Sequence, residues 1–267
     1  MVMIKKSRAL FVSHGGGPMP LLGDPGHAEM VDCLRAVANQ IEKPSAIVVV
    51  SAHWEAPQAT MTAAPNPDLI YDYHGFPAAA YQLAYPAPGD PALAERLYRS
   101  LQAAGISPKL DTQRGFDHGM YVPLKIMYPE ADIPCVQLSL LNHLNPAAHI
   151  ELGQALRSTI NDNLLIIGSG FSFHNMQAFF QARSAGTDAK NAAFENWLAT
   201  TCGDHALNEQ QRRQRLVDWA SAPFARYCHP REEHLLPLHV CYGFAGVPCT
   251  TTFKLHILNQ RASMYLW

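Results

Sequence analysis

Short apolar runs rich in valine, isoleucine and leucine recur along the chain, separated by longer stretches in which apolar residues return every three or four positions. The first pattern predicts strands and the second amphipathic helices. Strands are expected at about 9–13 (ALFVS), 46–52 (AIVVVSA), 59–63, 133–139 (IPCVQLS) and 163–168 (NLLIIG), with two closing strands in CTTTFKLH and SMYLW. Helices are expected near 28–40, 91–104, 119–127, 146–160, 188–202 and 206–219. This alternation implies an α/β fold, a single domain over residues 1–267 with a mostly parallel central sheet flanked by helices on both faces.

One run breaks its own pattern. AIVVVSAHWE begins as a fully buried strand and ends on a histidine, His53. In open α/β sheets ligands bind beyond the carboxyl ends of the strands, and other histidines fall at the same kind of place. His14 ends the first strand in FVSHGGGP, His174 follows a later one in IIGSGFSFHN, and His118 precedes an apolar helical run in GFDHGMYVPL. Burying several imidazoles side by side is costly unless something binds them, and a metal ion, zinc or iron, is the simplest binder. CHPREEHLLPLHV holds His229, His234 and His239 at intervals of five. Helical residues so spaced point about 140° apart, so at most one of the three is a ligand. Pro237 sets the start of a helix near His234.

Composition narrows the function classes. Net charge is −2 and charged residues are 16% of the chain, so nothing recruits nucleic acid or an anionic membrane. The one basic cluster, QQRRQR at 210–215, reads as a solvated helix face. The apolar stretch near the amino terminus is too short for a signal peptide or a membrane span, which implies a soluble cytoplasmic protein. Six cysteines lack any CxxC or framework spacing and read as reduced thiols. The Pro- and aromatic-rich segment between Ala64 and Asp90 is long for a loop within a domain, as walls and lids of sites often are. HLLPLH is not HExxH, HGGG has no accompanying G-x-S-x-G elbow, and neither a G-x-G-x-x-G nor a P-loop occurs. Gly15 to Gly17 read as a sharp turn beside a bound ion or ligand.

Taken in order, SHGGGP, VVVSAHW, YDYHGFP, YPAPGDP, GFDHG, IPCVQLSL, GSGFSFHN and EEHLLPLHV resemble the class III extradiol ring-cleavage dioxygenases, in the 4,5-DOPA dioxygenase branch related to the catalytic subunit of protocatechuate 4,5-dioxygenase. The resemblance runs from about residue 9 to 264. It implies metal ligands at His14, His53 and His234, an acid/base histidine at His174 and a further active-site histidine at His118. Glu232 or Glu233 is the alternative third ligand, since the protocatechuate branch uses a carboxylate there. HGGGP in place of HGSP, and His74 at a loop position that is aromatic or glycine in relatives, are departures that bear on substrate preference.

The resemblance implies extradiol cleavage of a catechol such as DOPA by dioxygen at a mononuclear Fe(II) site, giving a muconic semialdehyde. Three ligands on one side of the ion leave positions for both substrate oxygens and dioxygen. Tyr71, Tyr73, Phe76 and Tyr81 either wall the substrate or fill the core beneath the loop. Zn(II) fits the same three histidines, so the rival reading is a zinc hydrolase with His174 as general base; a binding protein that has lost turnover is a third. No partner protein is required, and monomer and homodimer both remain compatible with the sequence.

Overall fold

The computed structural model describes residues 8–157, 163–181 and 184–267. Eight strands form one sheet: β1 (Arg8–Ser13), β2 (Ala46–Ala56), β3 (Ala59–Thr62), β4 (Pro108–Asp111), β5 (Cys135–Leu141), β6 (Leu164–Gly170), β7 (Thr251–Ile257) and β8 (Gln260–Leu266), in the spatial order β4-β3-β5-β2-β6-β1-β8-β7. The central strands β5, β2, β6 and β1 are parallel; β3 runs against β5, and β8 against both β1 and β7. β5 and β6 are buried at every residue, as strands covered on both faces must be.

The nine helices among the described residues are α1 (Ala28–Gln40), α2 (Pro91–Ala103), α3 (His118–Met127), α4 (Pro146–Ala155), α5 (Met176–Phe180), α6 (Ala185–Gly203), α7 (Glu209–Val217), α8 (Ala225–Cys228) and α9 (Leu236–Ala245). α3, with α1 beside it, packs on one face of the sheet, and α9, with α4 beside it, on the other. α2 shows how local sequence sets these elements. Asp90 accepts from Leu93 N at 2.9 Å, Pro91 opens the first turn, and Leu93, Ala94, Leu97 and Leu101 supply the buried stripe. Such a cap contributes about 1 kcal/mol. No helix among the described residues is long and apolar enough to cross a membrane.

The expected strands and helices are present, with three differences of substance. β2 continues past Ala52 to Ala56, and its pairing with β5 jumps from Val50↔Leu138 to Glu55↔Leu140. Residues 51–54 are therefore spooled out of the β5 ladder, and His53 sits on that slack. Residues 158–160 of the expected helix at 146–160 lie outside the described residues, and α4 itself ends at Ala155. The basic cluster is not simply a solvated face: Arg212 is fully buried. Its guanidinium donates to the carbonyls of Thr201, Asp204 (2.7 Å) and Leu207 (3.2 Å), with Glu209 at 3.1 Å, so it pins the α6–α7 connection. β4, α5 and α8 are too short for sequence periodicity to reveal. All six cysteines are free.

Candidate metal centre

Three adjacent parallel strands deliver histidines to one end of the sheet. His14 follows β1 directly, and its N–H donates to Gly170 O at the end of β6 (2.9 Å). His53 rides on the slack of β2, and His174 lies four residues past β6. His234 arrives from the other side, just before α9, whose Pro237 sits in the first turn as expected. Glycine on β6 makes that approach possible: a Cβ at Gly170 would collide with the His234 carbonyl, to which Phe171 N–H donates at 2.9 Å.

His14, His53 and His234 each offer a ring nitrogen, all within 4.8 Å of one another. The Nε2 atoms of His14 and His53 are 3.0 Å apart. Burial holds His14 and His53 well below the usual imidazole pKa, and holds His234 down at about 3, the neighbouring imidazoles adding to the effect. All three are therefore neutral at pH 7 and carry one proton each. The hydrogen-bond network assigns two of those protons. Ser169 Oγ gives its only hydrogen to Gly119 O, so it must accept from His14 Nδ1 (2.9 Å), leaving Nε2 of His14 with its lone pair. Glu233 Oε1 accepts from His234 Nδ1 (2.9 Å), which frees Nε2 there too. Neutral imidazoles whose outward N–H is anchored are the donor set that suits a divalent zinc or iron ion. These residues fit a metal.

Two carboxylates brace the flanking histidines. Asp72, from the long loop, accepts at Oδ1 from both the backbone N–H (3.0 Å) and Nδ1 (2.8 Å) of His118 at the start of α3. Burial alone would raise the Asp72 carboxyl, but these hydrogen bonds bring it below its usual value. The His118 ring lies 3.9 Å from that of His53, centroid to centroid. On the opposite side His174 stacks on His234 at 3.4 Å with 12° between planes, its Nδ1 3.4 Å from Glu233 Oε1. Glu233 is held well below the carboxylate range: burial opposes this, and hydrogen bonds from His174 and His234 overcome it. Its other oxygen meets Arg231 at 3.2 Å, which also grips Glu55 of β2 at 2.6 and 2.7 Å.

All five histidines singled out from the sequence thus meet in one place, while the two spacing partners of His234 go elsewhere. His229 faces Ser172 O (2.8 Å) and His239 faces Leu216 O (2.8 Å), both buried. Glu232 pairs with Arg226 at the surface (2.9 Å). His74 is exposed. Gly15 and Gly17 do turn the chain, with φ of 81° and 54°. The turn is held by buried His27, whose Nε2 accepts from Gly16 N (2.9 Å) and whose Nδ1 meets Asp24 (2.6 Å). In the loop, Tyr73 is buried, with its ring 5.7 Å from His118 and its hydroxyl bonded to Ala80 O and Tyr121.

Asp72, Ser169, His27 and Asp117 had escaped the sequence reading. Asp117 is wholly buried, accepts from Ser51 Oγ (2.8 Å) and Gln137, and meets Arg114 at 3.1 Å. An aspartate directly before a site histidine, as in FDHG, was the available signal for Asp117; the histidine near Asp72 in YDYHG is the exposed His74, so Asp72 carried none.

An α/β sheet that gathers bare imidazole nitrogens at the carboxyl ends of its central strands defines a metal-dependent class of enzyme. The chain matches the family described as the catalytic LigB subunit of aromatic ring-opening dioxygenase over residues 8–261, and it belongs to that family. It is 40% identical over 248 residues to "Dioxygenase tasH" of Hapsidospora irregularis, covering 88% of this chain and 76% of that one. It is 40% identical over 237 residues to "4,5-DOPA dioxygenase extradiol" of Beta vulgaris, covering 88% and 86%. The crystal structure of an Escherichia coli K12 protein described as uncharacterized, JW3007, superposes with a TM-score of 0.73 at 30% identity, covering 98% of this chain and 99% of that one.

Proposed function

We propose that the protein cleaves the ring of a DOPA-like catechol next to its two hydroxyls, placing both atoms of dioxygen in a muconic semialdehyde product. His14, His53 and His234 are the proposed ligands of a single iron(II) ion. The observation that carries this is the convergence of three neutral imidazoles, at least two with Nε2 bare, between two further histidines that each lean on a carboxylate. When bound, the ion would acidify the catechol hydroxyls and let dioxygen and the ring exchange electrons.

The chain's own groups do the rest. With Nδ1 turned to Glu233, His174 keeps Nε2 for the substrate, where it takes the second phenolic proton and later returns one as the oxygen–oxygen bond breaks. Asp72 fixes His118 Nδ1, so that His118 Nε2 can hydrogen-bond a substrate or dioxygen-derived oxygen and stabilise charge developing there. Tyr73 and Phe76, one against His118 and the other against Gly17, are placed to shape the space an aromatic ring would enter.

The test begins from metal-stripped protein, reloaded anaerobically with Fe(II) or with Zn(II), given L-DOPA and then air. Oxygen uptake and a yellow product with iron alone are expected. Silence from iron across a panel of catechols, with ester or amide cleavage under zinc, would hand the same histidines to a hydrolase. His174→Phe should keep its metal and lose turnover, whereas His53→Ala should lose the metal.

A further inference from the structure

Beneath the imidazoles, residues 170–174 form the segment on which the parts of the site meet. Gly170 O accepts from His14, Phe171 N–H donates to His234 O, and His174 N–H donates to Cys228 O at 2.9 Å. Ser172 lies at its middle. Its N–H donates to Ser13 Oγ (3.1 Å), its carbonyl faces His229 Nε2, and its hydroxyl accepts from Ser263 N–H of β8 (2.8 Å). Ser13 Oγ donates in turn to Ser263 O at 3.1 Å.

This ring of three serines closes on Glu195 of α6. Glu195 Oε2 accepts from Ser263 Oγ at 2.5 Å. The Ser172 hydroxyl, which has spent only its lone pair on Ser263, faces the same carboxyl with its proton. Glu195 is 6% exposed, and its Oε1 has no hydrogen-bond partner among the described residues. Burial drives the carboxyl up to about 7, the Ser172 and Ser263 hydroxyls pulling the other way. An acidic group kept in the core with one oxygen unpaired costs stability, so packing alone does not account for it.

We propose that Glu195 is a positioning residue: through Ser263, Ser172 and Ser13 it sets the spacing between the turn that presents His14 and the segment that presents His174. Its consequence for turnover rests on the function proposed above; its consequence for metal affinity does not. Glu195 touches neither metal ligand nor substrate, and it acts through hydroxyls that a shorter or apolar side chain cannot reach or bond.

Glu195→Gln keeps an acceptor for Ser263, whereas Glu195→Leu fills similar space without one. Each would be compared with the unaltered protein for Co(II) affinity, read from the visible absorption of metal-stripped protein during titration, and for kcat and KM with L-DOPA on the iron form. Glu195→Leu should bind Co(II) about tenfold more weakly and lose about tenfold in kcat with little change in KM, as displaced ligands and reacting groups do. Glu195→Gln should recover both to within about threefold. Unchanged Co(II) affinity and kcat in Glu195→Leu, or a Glu195→Gln protein as impaired as Glu195→Leu, would overturn the proposal. If Glu195→Leu does not fold, Ser263→Ala should weaken Co(II) several-fold, and unaltered affinity there overturns it equally. Weakened Co(II) binding in a protein whose unaltered form cleaves no catechol would sink the proposed reaction and leave the positioning role standing.

Discussion

Glu233 carries two imidazoles and a guanidinium on one carboxylate, and neutralising it should weaken metal binding without unmaking the fold. Glu233→Gln keeps the shape and an oxygen that can still accept from His234 Nδ1, now 2.9 Å from a charged partner. What is lost is charge assistance. A hydrogen bond to an ionised group contributes about 1.5–3 kcal/mol and a neutral one about 0.5–1.5, so the exchange costs about 1–1.5 kcal/mol. The side chain is 12% exposed, so solvent screens little of this. At 1.4 kcal/mol per factor of ten, affinity for Zn(II) or Co(II) should fall about five- to twelvefold, at the lower end of what partners of ligating histidines contribute. Competition against a chelator of known affinity at pH 7.5 measures it, with Glu232→Gln as the control, since that neighbour pairs with Arg226 at the surface. Equal affinities in the Glu233→Gln and unaltered proteins would refute the claim that Glu233 orients His234 as a ligand. Loss of affinity in the Glu232→Gln control would show the effect to be general to the loop.

Asp72→Asn should lower kcat by about tenfold, because it loosens His118, and weaken Co(II) binding only about two- to fivefold, because Asp72 Oδ2 stands 3.8 Å from His53 Nδ1 while His14 and His234 keep their anchors; steady-state kinetics with L-DOPA beside a metal titration decide this. Acid should destabilise the metal-free protein, because burial depresses the pKa of His14, His53, His149, His229 and His234 below the unfolded value of 6.5. A histidine lowered in this way contributes stability above pH 6.5 that is lost as pH falls toward its folded value, so His149, His229 and His234, held at about 4, 3 and 3, each cost about 1.4 kcal/mol between pH 7.5 and 5.5, and His14 and His53 act in the same direction. Urea unfolding free energies that agree at the two pH values would contradict the neutral-imidazole assignment. Arg212→Ala should cost about 3–5 kcal/mol by stranding the carbonyls of Thr201, Asp204 and Leu207, lowering the thermal midpoint while Co(II) affinity of the folded protein is retained.

The parallel core was legible because strands buried on both faces write themselves as unbroken apolar runs, and AIVVVSA and NLLIIG are such runs. The histidines were legible because an imidazole at the end of a buried strand is costly to keep there unless it binds something. Of the evenly spaced trio only His234 reaches the site; helical spacing left open which one would, the resemblance implied His234, and the stretch between His229 and His234 is not helical. Less was visible where function depends on one atom facing another. Asp72 lies 46 residues from His118, and Ser169 is 155 from His14, separations over which sequence spacing carries no information. The burial of Arg212 was missed because QQRRQR has the polarity of a surface helix, and its three carbonyl partners are backbone atoms, which no residue pattern announces.

The order of strands has a consequence for when the site comes into being. Among the described residues β1 is the first strand and pairs only with β6 and β8, so ALFVS waits unpaired until the chain has been made as far as Gly170. His14 waits with it, and its counterpart His234 lies near the end of the sequence. Long closures of this kind are slow. The three-imidazole cluster therefore cannot assemble before His234 has been made, and until then no metal can be held by all three rings.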